Sequence, residues 1–316
     1  MRPKYLNHLK ESGLISDQQF EDINSWQKSK PFSLHWELRT LLYLGILLLT
    51  SGLGIIIYQN IDTIGHTAII AVIAVACFSC FYYCFKHKLP YSNEQVKHSS
   101  PWYDYVLLLG CLLFLALEGY LQFQYSIFGT RYGLATLIPA VVFFILAYVF
   151  DHAGVLSLAI TALASFVGIS ASPGMLLNNQ LSEASLIFTG ISLAILLIGA
   201  AFSFKFKLIK KHFTFTYYNF GFNLLFICLL AGCFTLDFPY LYLILVLVAA
   251  FLLARYAIME KSFFFLLMTV VYAYIGITWA VFNSGAFEIF GLYYFVLSCA
   301  GVIVFFINYK KILKLK

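Results

Sequence analysis

Two ionisable residues stand where an otherwise apolar sequence carries almost none. Glu118 lies inside the run Leu112–Phe123, and Arg131 opens the next apolar run. Charge in hydrocarbon is costly, so such groups pair with one another, face water, or serve a proton or ion pathway. Gln122, Gln124, Tyr125 and Ser126 lie in the turn between the two runs, which lets Arg131 reach back toward Glu118. Three readings follow. The pair locks two helices together, or Glu118 is a proton- or cation-coupling carboxylate facing a cavity, or it is wetted by interfacial water without a role.

The other polar residues point to packing. Asn219 and Asn223 are four apart and share one helix face, the spacing of interhelical hydrogen-bond glue. Ser157, Thr161 and Ser165 recur at the same spacing beside Gly154 and Gly168, which predicts a helix approached closely by its neighbours inside a bundle. Pro139 is the proline well inside an apolar run, where a kink is expected. The cysteines Cys77, Cys80, Cys84, Cys111, Cys228, Cys233 and Cys299 sit in or at the edges of apolar stretches and read as small buried hydrophobes. No His or carboxylate joins them at ligand spacing, so no metal and no cofactor is expected. There is no phosphate-binding glycine loop, no Ser/His/Asp grouping and no zincin motif, and the connecting segments are too short for a soluble catalytic domain. The sequence leans away from an enzyme.

The elements that must position these residues follow from composition. Of 316 residues, 62 % are hydrophobic and 11 % charged, and 19 % are aromatic; mean hydropathy is +0.87. A soluble domain carries about 25 % charged residues. What fits is an all-α, polytopic membrane bundle with lipid around its exterior. A helix needs about 20 apolar residues to cross a hydrocarbon core of about 30 Å. That ruler predicts ten spans, at residues 39–58, 66–85, 104–123, 132–150, 154–171, 184–204, 215–235, 239–256, 262–282 and 288–308. The domains are then a cytoplasmic segment 1–38, a bundle 39–308 and a basic tail 309–316. Tyr and Trp cluster near the span ends, as an interfacial belt does.

Charge orients the spans. With ten crossings and a cytoplasmic N-terminus, all but Arg131 of the 20 Lys and Arg residues fall on the inner side, as the positive-inside rule requires. Removing the fifth span would put Lys205, Lys207, Lys210 and Lys211 outside. The expectation is a multi-pass protein of the bacterial cytoplasmic membrane with both termini in the cytoplasm and an uncleaved first span. The net charge of +6 belongs to the membrane edge; no nucleic-acid partner is expected.

The N-terminal segment reads as a helical hairpin. Leu6 and Leu9 lie on a first helix, Gly13 suits its C-terminal cap, and Ser16 with Gln19 forms a capping-box pattern for a second. Leu14, Ile15, Phe20, Ile23 and Trp26 make an apolar stripe that a hairpin this short cannot bury alone. It needs the bundle, the bilayer surface, a second copy or another protein.

The motif Gly13-Leu14-Ile15-Ser16-Asp17-Gln18-Gln19 ahead of a Gly45/Gly52/Gly54 first span resembles a bacterial family of predicted membrane proteins known only as a domain of unknown function. The specific part of the resemblance covers roughly residues 5–62. Where that family often ends its first span in Asn-Trp, this chain reads Tyr58-Gln59-Asn60-Ile61, so the Asn is present and the Trp is not. The resemblance implies the architecture and brings no reaction or substrate. Three functions remain open: a scaffold or accessory subunit using the hairpin as its contact, a carrier or flippase for a small or lipidic solute using Glu118, and an enzyme acting on membrane lipids.

Overall fold

The computed structural model describes residues 16, 18–21, 35–59, 65–90, 92–96, 100–129, 131–171, 183–207, 210–284 and 287–314. The described residues hold ten long helices: α1 (His35–Gln59), α2 (His66–Lys86), α3 (Pro101–Tyr125), α4 (Leu134–Phe150), α5 (Ala153–Ala171), α6 (Glu183–Lys207), α7 (Phe213–Thr235), α8 (Pro239–Met259), α9 (Phe263–Asn283) and α10 (Phe287–Ile312). Nine contain stretches long and apolar enough to cross a membrane, and α4 is a shorter apolar helix. It starts later than the apolar run does, because Arg131–Leu134 closes a turn, with the Leu134 amide donating to the Arg131 carbonyl at 2.9 Å. The 17 residues of α4 span about 25 Å.

The boundaries have local causes. Pro101 and Pro239 occupy the first turns of α3 and α8, where a missing N–H breaks no helical bond. Ser126 and Asp151 close α3 and α4 in the left-handed region, at φ 46° and 57°, and their amides donate to Gln122 and Ala147 carbonyls. Such a cap lets the chain reverse immediately.

The chain divides into two compact units, residues 1–56 and 57–316. In the first, the Ser16 amide donates to Gln19 Oε1 at 3.0 Å and the Gln19 amide to Ser16 Oγ at 3.3 Å. This is the reciprocal capping box that the sequence predicts. The Thr50 and Ser51 hydroxyls of α1 donate to carbonyls of their own helix. Polar groups satisfied inside one helix are what hydrocarbon surroundings demand.

In the second unit, consecutive helices pack as hairpins: α2 on α3, α4 on α5, α6 on α7, α8 on α9. Two helices lie at its centre. α5 touches α3, α4, α6 and α7, and α7 touches α5, α6, α8 and α9; half of the spanning stretch of α7 is buried. Contact around α7 is close because glycines sit at the crossings. A Cβ at Gly221 would lie 2.8 Å from Ile198 Cγ1 and 3.3 Å from the Ala194 carbonyl oxygen on α6. One at Gly232 would strike the Tyr242 ring of α8 at 2.7 Å. Without a solvent-driven force between helices in lipid, such close van der Waals packing carries association.

Candidate functional site

Glu118 lies on the buried face of α3. Leu107 and Cys111, eleven and seven residues earlier, point the same way by helical geometry and are fully buried. Glu118 itself is 8 % exposed, and neither carboxylate oxygen has a hydrogen-bond partner. The expected ion pair does not form. Arg131 is exposed, and no ion pair joins it to Glu118 among the described residues. The reason is geometric. Arg131 leaves the helix end in a turn that also holds Phe128, whose carbonyl accepts from the Arg131 amide at 3.0 Å, while Glu118 points back into the bundle.

One turn beyond Glu118, Gln122 clasps that turn. Its Oε1 accepts from the Phe128 amide at 2.9 Å and its Nε2 donates to the Gly129 carbonyl at 3.2 Å. Gly129 takes φ +55°, a conformation glycine adopts without strain. Nearby, His66 Nδ1 on α2 lies 2.7 Å from the Tyr120 hydroxyl of α3.

A second buried carboxylate is not evident from the sequence pattern. Asp151, in the reversal between α4 and α5, is held from three sides. Lys210 Nζ lies 2.9 Å from its Oδ1, and His212 Nε2 2.7 Å from the same oxygen. The Val96 amide donates to its Oδ2 at 2.6 Å. The side chains of Asp151 and Lys210 are 4 % and 1 % exposed. The Lys210 amide donates in turn to the Asn93 carbonyl at 3.0 Å. One carboxylate thus ties together the α2–α3, α4–α5 and α6–α7 connections, which therefore share one end of the unit. The clue in the sequence is the three-residue connection Asp151-His152-Ala153: an acid there must sit at the packed end of two helices, level with the lysines of the next connection on that side.

The remaining polar residues fasten helices. Asn223 Nδ2 donates to the Asn219 carbonyl and to Asn219 Oδ1, both at 2.8 Å, and the Tyr272 hydroxyl of α9 donates to Asn223 Oδ1 at 2.8 Å. Tyr148 and Tyr217 join α4 to α7, hydroxyl to hydroxyl, at 2.9 Å. Ser157, Thr161 and Ser165 do not act in this way. Each hydroxyl donates to the carbonyl four residues back in α5, and Thr161 and Ser165 are exposed. The expected close approach runs instead through Val155, Leu156, Ala159 and Ile160, all buried. A small hydroxyl that finds its own helix carbonyl needs no neighbour, which is why spacing alone misplaced this face.

Between α2, α3 and α4 an open groove of about 400 Å³ is walled by Cys77, Phe78, Phe81, Phe114, Val142 and Leu146, apolar throughout. The described residues contain no group of three or more His, Cys, Asp or Glu placed to hold a metal. Of the hairpin stripe, Phe20 is described and half-buried; Leu14, Ile15, Ile23 and Trp26 lie outside the described residues.

Residues 7–156, just under half of the chain, match the model of the family described as "Predicted membrane protein (DUF2157)". The matched stretch includes α1 to α4, Glu118 and Asp151, and stops before Lys210 and His212. Neither the curated proteins nor the solved structures contain a match to the chain.

Proposed function

We propose that this multi-pass membrane protein is a non-enzymatic scaffold or accessory subunit, contacting a partner or a second copy of itself through the N-terminal hairpin. The observation that carries the reading is how the bundle uses its polar groups. Asp151, Lys210 and His212 are consumed at one end, and Tyr148 with Tyr217 and Asn223 with Tyr272 fasten helices further along. The groove between α2, α3 and α4 is apolar. A bundle fastened in this way suits a platform better than a path for a polar solute. The formed capping box supports the hairpin's second helix. The bacterial cytoplasmic membrane and two cytoplasmic termini belong to this proposal, on the strength of the Lys and Arg asymmetry.

The test is association in the bilayer. Phe20→Asp and Trp26→Asp should abolish the crosslinked species formed by the wild-type protein in native membranes while leaving insertion intact. Unchanged crosslinking in both variants would overturn the reading.

Glu118 favours a second reading, a carrier or flippase for a small or lipidic solute, because a buried carboxylate without a hydrogen-bond partner calls for an explanation that packing does not supply.

A further inference from the structure

Glu118 and Gln122 together present a loading site and its cover. The carboxylate lies seven residues before the end of α3, about 10 Å along the helix axis. It is more than nine-tenths buried, with both oxygens unpartnered. An ionised carboxylate in such a place has given up its water and received nothing in return. Its charge has to be neutralised while the bundle is closed, and the available chemistry decides by what. A hard metal cation takes six or more oxygen ligands. Along this face Gln122 Oε1 is turned toward the Phe128 amide, from which it accepts. The Tyr120 hydroxyl is engaged with His66. A proton needs one oxygen and nothing else.

We propose that Glu118 is a reversible proton-binding site and that the clasp of Gln122 on Phe128 and Gly129 is its gate. Gln122 follows Glu118 by four residues on the same face, between the carboxylate and the helix end. Both of its amide atoms hold the turn closed there. When the turn lifts, water reaches the face and a hydronium ion passes one proton to the carboxylate, which becomes the neutral acid as the hydronium reverts to water. Release is the reverse step, with no electron transfer and no other bond changed.

The surrounding groups leave this proton to Glu118. α2 contributes His66 at this end, bonded to Tyr120, and Cys77, which donates to the Gly110 carbonyl. α3 contributes Tyr120, Tyr125 and the buried Cys111. The α3–α4 connection contributes Arg131 and Tyr132, both exposed. Residues 134–147 of α4 and all of α5 carry no titratable side chain. None of these groups is bonded to the Glu118 carboxylate.

The proposal rests on the buried carboxylate and holds whether or not a solute moves. The test uses the full-length protein in phosphatidylethanolamine/phosphatidylglycerol liposomes. Dicyclohexylcarbodiimide modifies protonated carboxyl groups in apolar surroundings, and peptide mass spectrometry locates the adduct. Glu118 should be modified, with the extent falling several-fold from mildly acidic to alkaline pH, while Asp151 stays unmodified. Gln122→Ala should raise the rate of modification. In infrared difference spectra, Glu118→Gln should remove a pH-dependent carboxylic-acid carbonyl band. Absence of modification at Glu118, or equal extents at every pH, would overturn the site, and the wild-type labelling decides this even where the Gln variant does not fold. A rate unchanged in Gln122→Ala would overturn the gate. pH-dependent labelling in liposomes that transport nothing would retire the carrier reading and keep the proton site.

Discussion

Asp151 and Glu118 are both acidic, both buried and both inside the stretch matched by the family domain, yet they are treated in opposite ways. Asp151 sits where helices reverse. There a backbone amide, an ammonium and an imidazole from two other connections converge on it within 2.9 Å. Glu118 sits inside a helix, whose own backbone amides are already spent, and nothing reaches it. Where a charge sits in a membrane bundle decides what surrounds it. Helix ends carry unsatisfied backbone groups and flexible connections that fold around an ion, whereas a spanning helix offers only side chains from its neighbours. A charge at an end becomes a fastener, and one in mid-helix without a partner calls for a reason other than stability.

Breaking the fastener should have the largest effect. Asp151→Ala takes the carboxylate away from the Lys210 ammonium, 2.9 Å from it in a site 1 % exposed, which should cost about 3–5 kcal/mol. Denaturant titration in detergent reads this directly. Lys210→Met combined with Asp151→Ala should recover part of the loss, because the second substitution removes the buried charge that has lost this carboxylate. A double mutant no better than the single would mean that Lys210 is stabilised by something other than Asp151.

His212 contributes one of three contacts to the same carboxylate and is more exposed than Lys210. His212→Ala leaves the Lys210 pair and the Val96 bond in place, so the expected loss is about 0.5–1.5 kcal/mol, that of one hydrogen bond. A loss equal to that of Asp151→Ala would make the imidazole, not the ammonium, the principal partner.

The smallest effect belongs to Arg131. Exposed and distant from any role in holding Glu118, it should tolerate Ala with no measurable change in stability. A double-mutant cycle with Glu118→Gln should give a coupling below about 0.5 kcal/mol. Larger coupling would restore the ion pair that the structure lacks.

These contrasts also mark what a sequence of this kind discloses. All ten helices are legible, most ends falling within a few residues, because length and hydropathy are set by the hydrocarbon itself. The capping box of Ser16 and Gln19 is legible because its partners are three residues apart. Glu118 stands out as a misplaced charge, but its lack of a partner does not, since the rotation of α3 and the path of the Arg131 turn come from packing. The role of Asp151 is illegible for the opposite reason. Charges at helix ends look like ordinary loop residues, and the contact with Lys210, 59 positions later, exists only once α5 and α6 have gone out and come back. That return also accounts for the fifth helix: Asp151 and Lys210 can meet only if the chain between them reverses.

Glu118→Gln measured beside Asp151→Asn, in one detergent and by one denaturant titration, separates a carboxylate the bundle holds from one it does not. Both substitutions remove a buried carboxylate charge and nearly preserve its shape. Asp151→Asn should destabilise strongly, because it removes the carboxylate charge beside Lys210 and His212, whereas Glu118→Gln should leave stability unchanged or higher, since no hydrogen-bond partner of its carboxylate loses anything. Equal destabilisation by the two would contradict the account, because it would mean that Glu118 is held by the bundle as Asp151 is.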